Sequence, residues 1–125
     1  MKLTILGEIP SLKNSKQIFV NRATGRPFIT SSNNSKVWQA EAKRQLTEQF
    51  AGYKISGYPI SIAIVFYYGT KRRKDLDNGA SGVMDALVHA GIIEDDDVAH
   101  VDNIDLSFGG YVHKDDAKVE VFLDD

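Results

Sequence analysis

Asp75 and Asp77 stand two residues apart where a long apolar run ends and a helical pattern begins. In extended backbone, residues at i and i+2 project from one face, so both carboxylates could reach one cation. Mg²⁺ accepts one or two protein carboxylates and fills its remaining positions with water and phosphate oxygens, a demand such a pair can meet. Either aspartate could instead cap the helix that follows. A calcium loop of the EF-hand type starting at Asp75 fails on spacing, because Gly79, Ala80 and Ala86 occupy positions that need Asp or Asn, Gly and Glu. A second acidic group, Glu94, Asp95, Asp96 and Asp97, follows the same helix. Four adjacent acids repel one another unless solvent or a cation relieves them, so Asp96 is a candidate third ligand, and a solvated surface loop is the alternative.

Lys71, Arg72, Arg73 and Lys74 directly precede Asp75. Cations beside carboxylates suit an enzyme that grips phosphates where a metal acts, although a solvated basic loop has the same composition. Lys13, Asn14 and Lys16 form a weaker basic candidate in the first loop. The chain has no cysteine, which excludes disulfides, zinc–thiolate centres and thiol nucleophiles. Oxygen ligands then favour Mg²⁺ or Mn²⁺. His89, His100 and His113 lack metal-binding helical spacing, and no Gly-rich phosphate loop or serine nucleophile elbow is present.

The formal net charge of −2 conceals a strong asymmetry. Residues 1–74 carry 13 Lys and Arg against three acids, an excess of ten positive charges. Residues 75–125 carry two basic residues against 14 acids, an excess of twelve negative charges. Such a division suggests a polyanionic partner for the basic half, unless the two halves pair with each other on folding. Hydrophobic residues at 42% and charged residues at 26% are ordinary for a water-soluble domain. The opening residues lack a signal-peptide run and the longest apolar stretch is too short to span a bilayer, so a cytoplasmic protein without membrane contact is expected.

The elements that must position these groups follow from periodicity. Residues 1–125 are expected to form a single domain, small enough that a second subunit would help bury surface. Residues 3–6 predict a strand, and 17–20 with 27–30 a hairpin turning at 23–26. Trp38, Ala42, Leu46 and Phe50 recur every fourth residue, predicting a helix over 36–50 that stops at Gly52. A β-branched and aromatic run predicts a strand over 59–68. Ala80, Val83, Met84 and Leu87 predict a second helix ending at Ala90, with Gly91 just beyond its cap. Residues 98–108 and 117–123 predict a closing hairpin. The class is α+β: a small mixed β-sheet packed with two main helices.

Taken together, Lys71 through Asn78, then Met84-Asp85-Ala86-Leu87, Ala90-Gly91-Ile92-Ile93 and Asp95-Asp96 resemble the RusA family of Holliday junction resolvases. Ile9-Pro10-Ser11 with Asn14 is similar to the family's N-terminal loop, so the resemblance extends over nearly the whole chain. It implies a homodimeric, Mg²⁺- or Mn²⁺-dependent endonuclease that nicks opposed strands of a four-way DNA junction and leaves 5′-phosphates. By position, Asp75, Asp77 and Asp96 match the family's catalytic and metal-holding carboxylates. Lys13, Asn14, Lys16, Lys71, Arg72, Arg73, Lys74 and Asn78 fall on its DNA-contacting segments. Asp95 is the alternative to Asp96 by one register step. Ser81 departs from the family pattern, standing where a lysine one turn into the second helix is found; Lys74 is the nearest substitute charge. That departure favours a weakly active or inactive junction-binding module, whereas the aspartate trio favours a nuclease, for junctions or for flaps and forks. A cation-binding protein with no nucleic-acid role would bind no DNA even at low salt.

Overall fold

Strand β4 (Ile60–Tyr68) alternates buried and half-buried residues along its whole length and becomes the centre of the molecule. A computed structural model describes residues 1–10, 16–20, 27–31, 33–71 and 75–124, with only the backbone described for 16–20, 27–31 and 33. Beside β4 lie β6 (Lys118–Asp124), then β1 (Lys2–Leu6) on one flank, and β5 (Val101–Tyr111) on the other. β6 runs antiparallel to both β1 and β4, whereas β5 runs parallel to β4, so the four-stranded sheet is mixed. β2 (Lys16–Val20) and β3 (Pro27–Ser31) pair antiparallel as a separate two-stranded sheet; the turn expected at 23–26 lies outside the described residues.

One face of the sheet carries the core. Leu3, Ile5, Ile62, Ile64, Phe66, Val119 and Val121 are almost fully buried there. Helix α1 (Asn33–Phe50) contributes Trp38, Ala42 and Leu46, and helix α2 (Leu76–His89) contributes Val83, Met84 and Leu87, as the four-residue and i, i+3, i+4, i+7 spacings require. Each fully buried Val, Leu or Met among them stabilises the fold by about 1.5–3 kcal/mol of transfer free energy, and Ala42 by less. The helices also meet each other, where the Gln39 amide donates to the Gly82 carbonyl oxygen at 2.9 Å. No described helix is long and apolar enough to cross a membrane.

The expected closing hairpin is not formed. β5 and β6 are separated by β4, because α2 carries the chain back alongside β4 and returns it as a parallel neighbour. The chain then crosses the end of β4 through a 3₁₀ turn (Lys114–Asp116) and enters the gap between β4 and β1. Strand β5 also begins later than the sequence suggests: Val98 is 84% exposed and belongs to the turn before it.

The two edges of the sheet are treated differently. Edge strand β1 is covered by glutamine side chains from α1. Gln49 accepts from the Thr4 amide at 2.8 Å and donates to its carbonyl at 2.6 Å, while Gln45 does the same to Leu6 at 2.8 and 3.3 Å. The amides replace a neighbouring strand and blunt the edge against pairing with other chains. Gln49→Leu is expected to cost about 1 kcal/mol in denaturant unfolding and to raise light scattering at high protein concentration. At the opposite edge, the outer side of β5 is paired by no described strand.

Candidate metal centre and nucleic-acid interface

Asp75 and Asp77 lie where the sequence puts chemistry, but on different backbone. Asp75 is the extended N-cap residue of α2, with φ −100° and ψ 134°, whereas Asp77 is already in the first helical turn. Asn78 ties the two together. Its backbone N–H donates to Asp77 Oδ1 at 3.0 Å, and its side-chain amide donates to Asp75 Oδ2 at 3.4 Å. Asp75 thus occupies the N-cap position expected under the capping alternative, but makes no side-chain cap hydrogen bond. Both carboxylates sit in the positive field at the start of α2, where anionic groups are favoured. Ser81 donates to the Asp77 carbonyl oxygen at 3.3 Å and is exposed on the same helical face.

Gly79 permits this placement. A Cβ there would come within 2.8 Å of the Phe66 ring, so glycine lets α2 begin directly against the C-terminal end of β4. Lys71, four residues before Asp75 in sequence, places its Nζ 5.9 Å from the centre of the Tyr111 ring, at the end of β5 that pairs with the end of β4. Arg72, Arg73, Lys74, Lys13 and Asn14 lie outside the described residues, as does the side chain of Lys16.

Asp96 is not brought to this pair within one chain. It lies in the turn between α2 and β5, at the opposite end of β4, where the Ile60 amide donates to the His100 carbonyl oxygen at 2.9 Å. The 14-residue α2 separates the two acidic groups by about 20 Å at 1.5 Å per residue. Asp95 shares that end and offers no substitute. Among the described residues, no three acidic or histidine side chains converge on one metal position.

The acidic turn nevertheless has a defined shape. Ile92 and Ile93 are buried beneath it, and the Asp96 amide donates to Asp95 Oδ1 at 2.8 Å. His100 binds Asp97 Oδ1 at 2.6 Å through Nδ1 and Glu94 Oε2 at 3.3 Å through Nε2, with Tyr58 packed edge-on against its ring. The Asp97 hydrogen bond, aided by Glu94, raises the His100 pKa above its ordinary 6.5, and the same bond lowers that of Asp97. The stabilisation of the turn is therefore complete below the unfolded histidine value and is lost as pH rises through the raised folded value. An NMR titration of the His100 ring is expected to give a pKa above 6.5, and Asp97→Asn should bring it down.

Glu8 was not among the residues singled out from sequence. Its Oε2 accepts from the Gly69 amide at 2.8 Å and so anchors the segment leading to Lys71. Burial, with help from the Glu8 charge, pushes the Tyr68 hydroxyl up to about 12. No sequence signal marked Glu8, because the group it binds is a backbone amide 61 residues away.

With this geometry described, comparison with known proteins gives two findings. The sequence model of the family described as Endodeoxyribonuclease RusA matches residues 10–124. A 61-residue stretch is 36% identical to the Crossover junction endodeoxyribonuclease RusA of Aquifex aeolicus (strain VF5). That alignment covers 49% of this chain and 48% of the relative, about half of each.

Proposed function

Because this chain belongs to the Endodeoxyribonuclease RusA family, we propose that it is a divalent-metal-dependent endonuclease resolving four-way DNA junctions by symmetric nicking. The observation that carries the reading is the Asp75–Asp77 pair, linked through Asn78 at the start of α2 and preceded in sequence by the basic run Lys71 to Lys74. Carboxylates without any thiol are a hard-oxygen donor set, which fits Mg²⁺ or Mn²⁺. Two ligands from one chain leave room for a third, and Asp96 of a second subunit is the donor we assign to it. The enzyme is accordingly a homodimer, with two sites each drawing on both chains. Bound there, the cation would supply Lewis acidity, activating water and offsetting charge on the leaving 3′ oxygen, so that a 5′-phosphate results.

The chain's own residues do the rest. Lys71 and the basic residues at 72–74 hold the backbone phosphates, which sets position without reading sequence. Asn78 fixes the mutual orientation of the two aspartates. Two sites related by a two-fold axis match two opposed strands of a junction, which is selected by shape. Such a substrate places the protein's work in the cytoplasm. Junction binding without cleavage is the second reading, favoured by the uncharged Ser81 beside Asp77.

Incubating the protein with a labelled immobile junction, a linear duplex and a fork, with and without Mg²⁺, separates these readings. Paired symmetric nicks in the junction alone, requiring the metal, are expected. Salt-sensitive binding without nicks would favour the second reading, and preferential cutting of forks would replace the substrate.

A further inference from the structure

We infer that His100 is a positioning residue for Asp96: by holding the first and last carboxylates of the acidic turn, it leaves Asp96 as the donor that meets the cation. The inference rests on the reading that Asp96 completes the metal site, and it names what selects that residue from four neighbouring acids. Glu94, Asp95, Asp96 and Asp97 are all exposed, so exposure does not tell them apart. Their hydrogen bonds do. The His100 ring binds Asp97 Oδ1 at 2.6 Å through Nδ1 and Glu94 Oε2 at 3.3 Å through Nε2. Asp95 Oδ1 accepts from the Asp96 amide at 2.8 Å. Among the described residues, none engages the Asp96 carboxylate, which alone of the four keeps both oxygens for an incoming ion.

The ring is the fixed member of this group. The His100 side chain is 22% exposed, against 77% for Glu94 and 54% for Asp97, so two mobile carboxylates fold back onto a ring the protein already holds. Tyr58 packs edge-on against that ring with centroids 4.8 Å apart, and its hydroxyl accepts from the Glu94 amide at 3.3 Å. The His100 and Val101 amides donate to the Asp97 carbonyl oxygen at 3.1 and 2.9 Å. The Ile60 amide donates to the His100 carbonyl oxygen at 2.9 Å, which ties the turn to the start of β4. A hard cation discriminates little between neighbouring carboxylates. Without the ring nitrogens, Glu94 and Asp97 would regain oxygens one and two residues from Asp96 and draw the ion away from the aspartate pair. His100 masks them.

His100→Phe keeps a ring against Tyr58 and removes both nitrogens. In the wild-type protein without DNA, substoichiometric Mn²⁺ should broaden the NMR signals of the Asn78 and Asp96 amides together. In His100→Phe it should broaden those of Glu94 to Asp97 and spare Asn78. The Mg²⁺ concentration for half-maximal junction cleavage should rise about tenfold, the scale of residues that orient metal ligands, with the rate at saturating Mg²⁺ within about twofold of wild type. Adding Glu94→Gln and Asp97→Asn to His100→Phe should restore both readouts, because the competing oxygens are gone; a residue that only braced the turn could not be replaced in this way. Glu94→Gln/Asp97→Asn with His100 intact should keep the wild-type metal dependence, a check that does not require His100→Phe to fold. Wild-type metal behaviour in His100→Phe, no recovery in the triple variant, or a loss in Glu94→Gln/Asp97→Asn would each overturn the inference. Mn²⁺ that broadens Asn78 but not Asp96 in the wild-type protein is a different failure, removing Asp96 from the site and the inference with it. A protein that binds Mn²⁺ at both places yet cuts no junction fails as a nuclease, while the Mn²⁺ readout on the variants still decides the role of His100.

Discussion

Asp77→Asn is expected to reduce junction cleavage by at least about a hundredfold while leaving the protein folded. The substitution is nearly isosteric and retains an oxygen to accept from the Asn78 amide, now at 3.0 Å. What it removes is the charge that a hard cation requires, and disturbing even the outer neighbours of metal ligands costs 10- to 100-fold. Stability should change little, because an exposed carboxylate in the first turn of a helix contributes about 0.3–1 kcal/mol. Thermal melting and cleavage rate therefore separate the two effects, and a variant that cuts at the wild-type rate would remove the pair from the mechanism. Mixing extends the test. If each site takes Asp77 from one chain and Asp96 from the other, Asp77→Asn and Asp96→Asn proteins are each inactive alone. After exchange, each heterodimer has one intact site and one doubly defective site. With random pairing, about a quarter of the wild-type sites should return, giving single rather than paired nicks. No recovery after demonstrated exchange would mean that the two residues are not shared in this way.

The separation of Asp96 from Asp77 shows where sequence reasoning reached its limit. Helix existence and type were legible, because Trp38, Ala42 and Leu46, and Val83, Met84 and Leu87, are spaced for one buried face and occupy it. The strand over 60–68 was legible from its β-branched and aromatic content. Strand order was not, since residues 98–108 and 117–123 read equally well as a hairpin or as two strands divided by a third. That choice is made by α2, which needs a parallel return to bury its apolar face on β4. Once β5 starts at the N-terminal end of β4, the acidic turn before it must lie a helix length from Asp75. Proximity in sequence carried no such information. Glu8 escaped notice for a related reason: its partner, the Gly69 amide, is 61 residues away and has no side chain to announce it.

Gly69→Ala is expected to destabilise the protein by roughly 2–3 kcal/mol, a fall in Tm of about 10 °C. A Cβ at this position would lie 2.6 Å from Lys114 Cα and 3.3 Å from that residue's carbonyl carbon and amide nitrogen. These are backbone atoms, so no side-chain rotation can relieve the overlap. Nor can either segment withdraw cheaply. The Gly69 amide is held by Glu8 at 2.8 Å, and one residue earlier the Tyr68 carbonyl oxygen accepts from the Val112 amide at 2.8 Å. The clash must therefore open the junction between the end of β4 and the 3₁₀ turn, or break the Glu8 anchor. Either movement displaces the segment that leads to Lys71 and Asp75, so cleavage should fall even at temperatures where the variant remains folded. Gly57→Ala supplies the control, because a Cβ there meets nothing within 4 Å and should change stability by no more than about 0.5 kcal/mol. Calorimetric melts of the two variants decide the matter: a Gly69→Ala protein as stable as Gly57→Ala would show that the close approach at Lys114 is relaxed at little cost and does not fix the site.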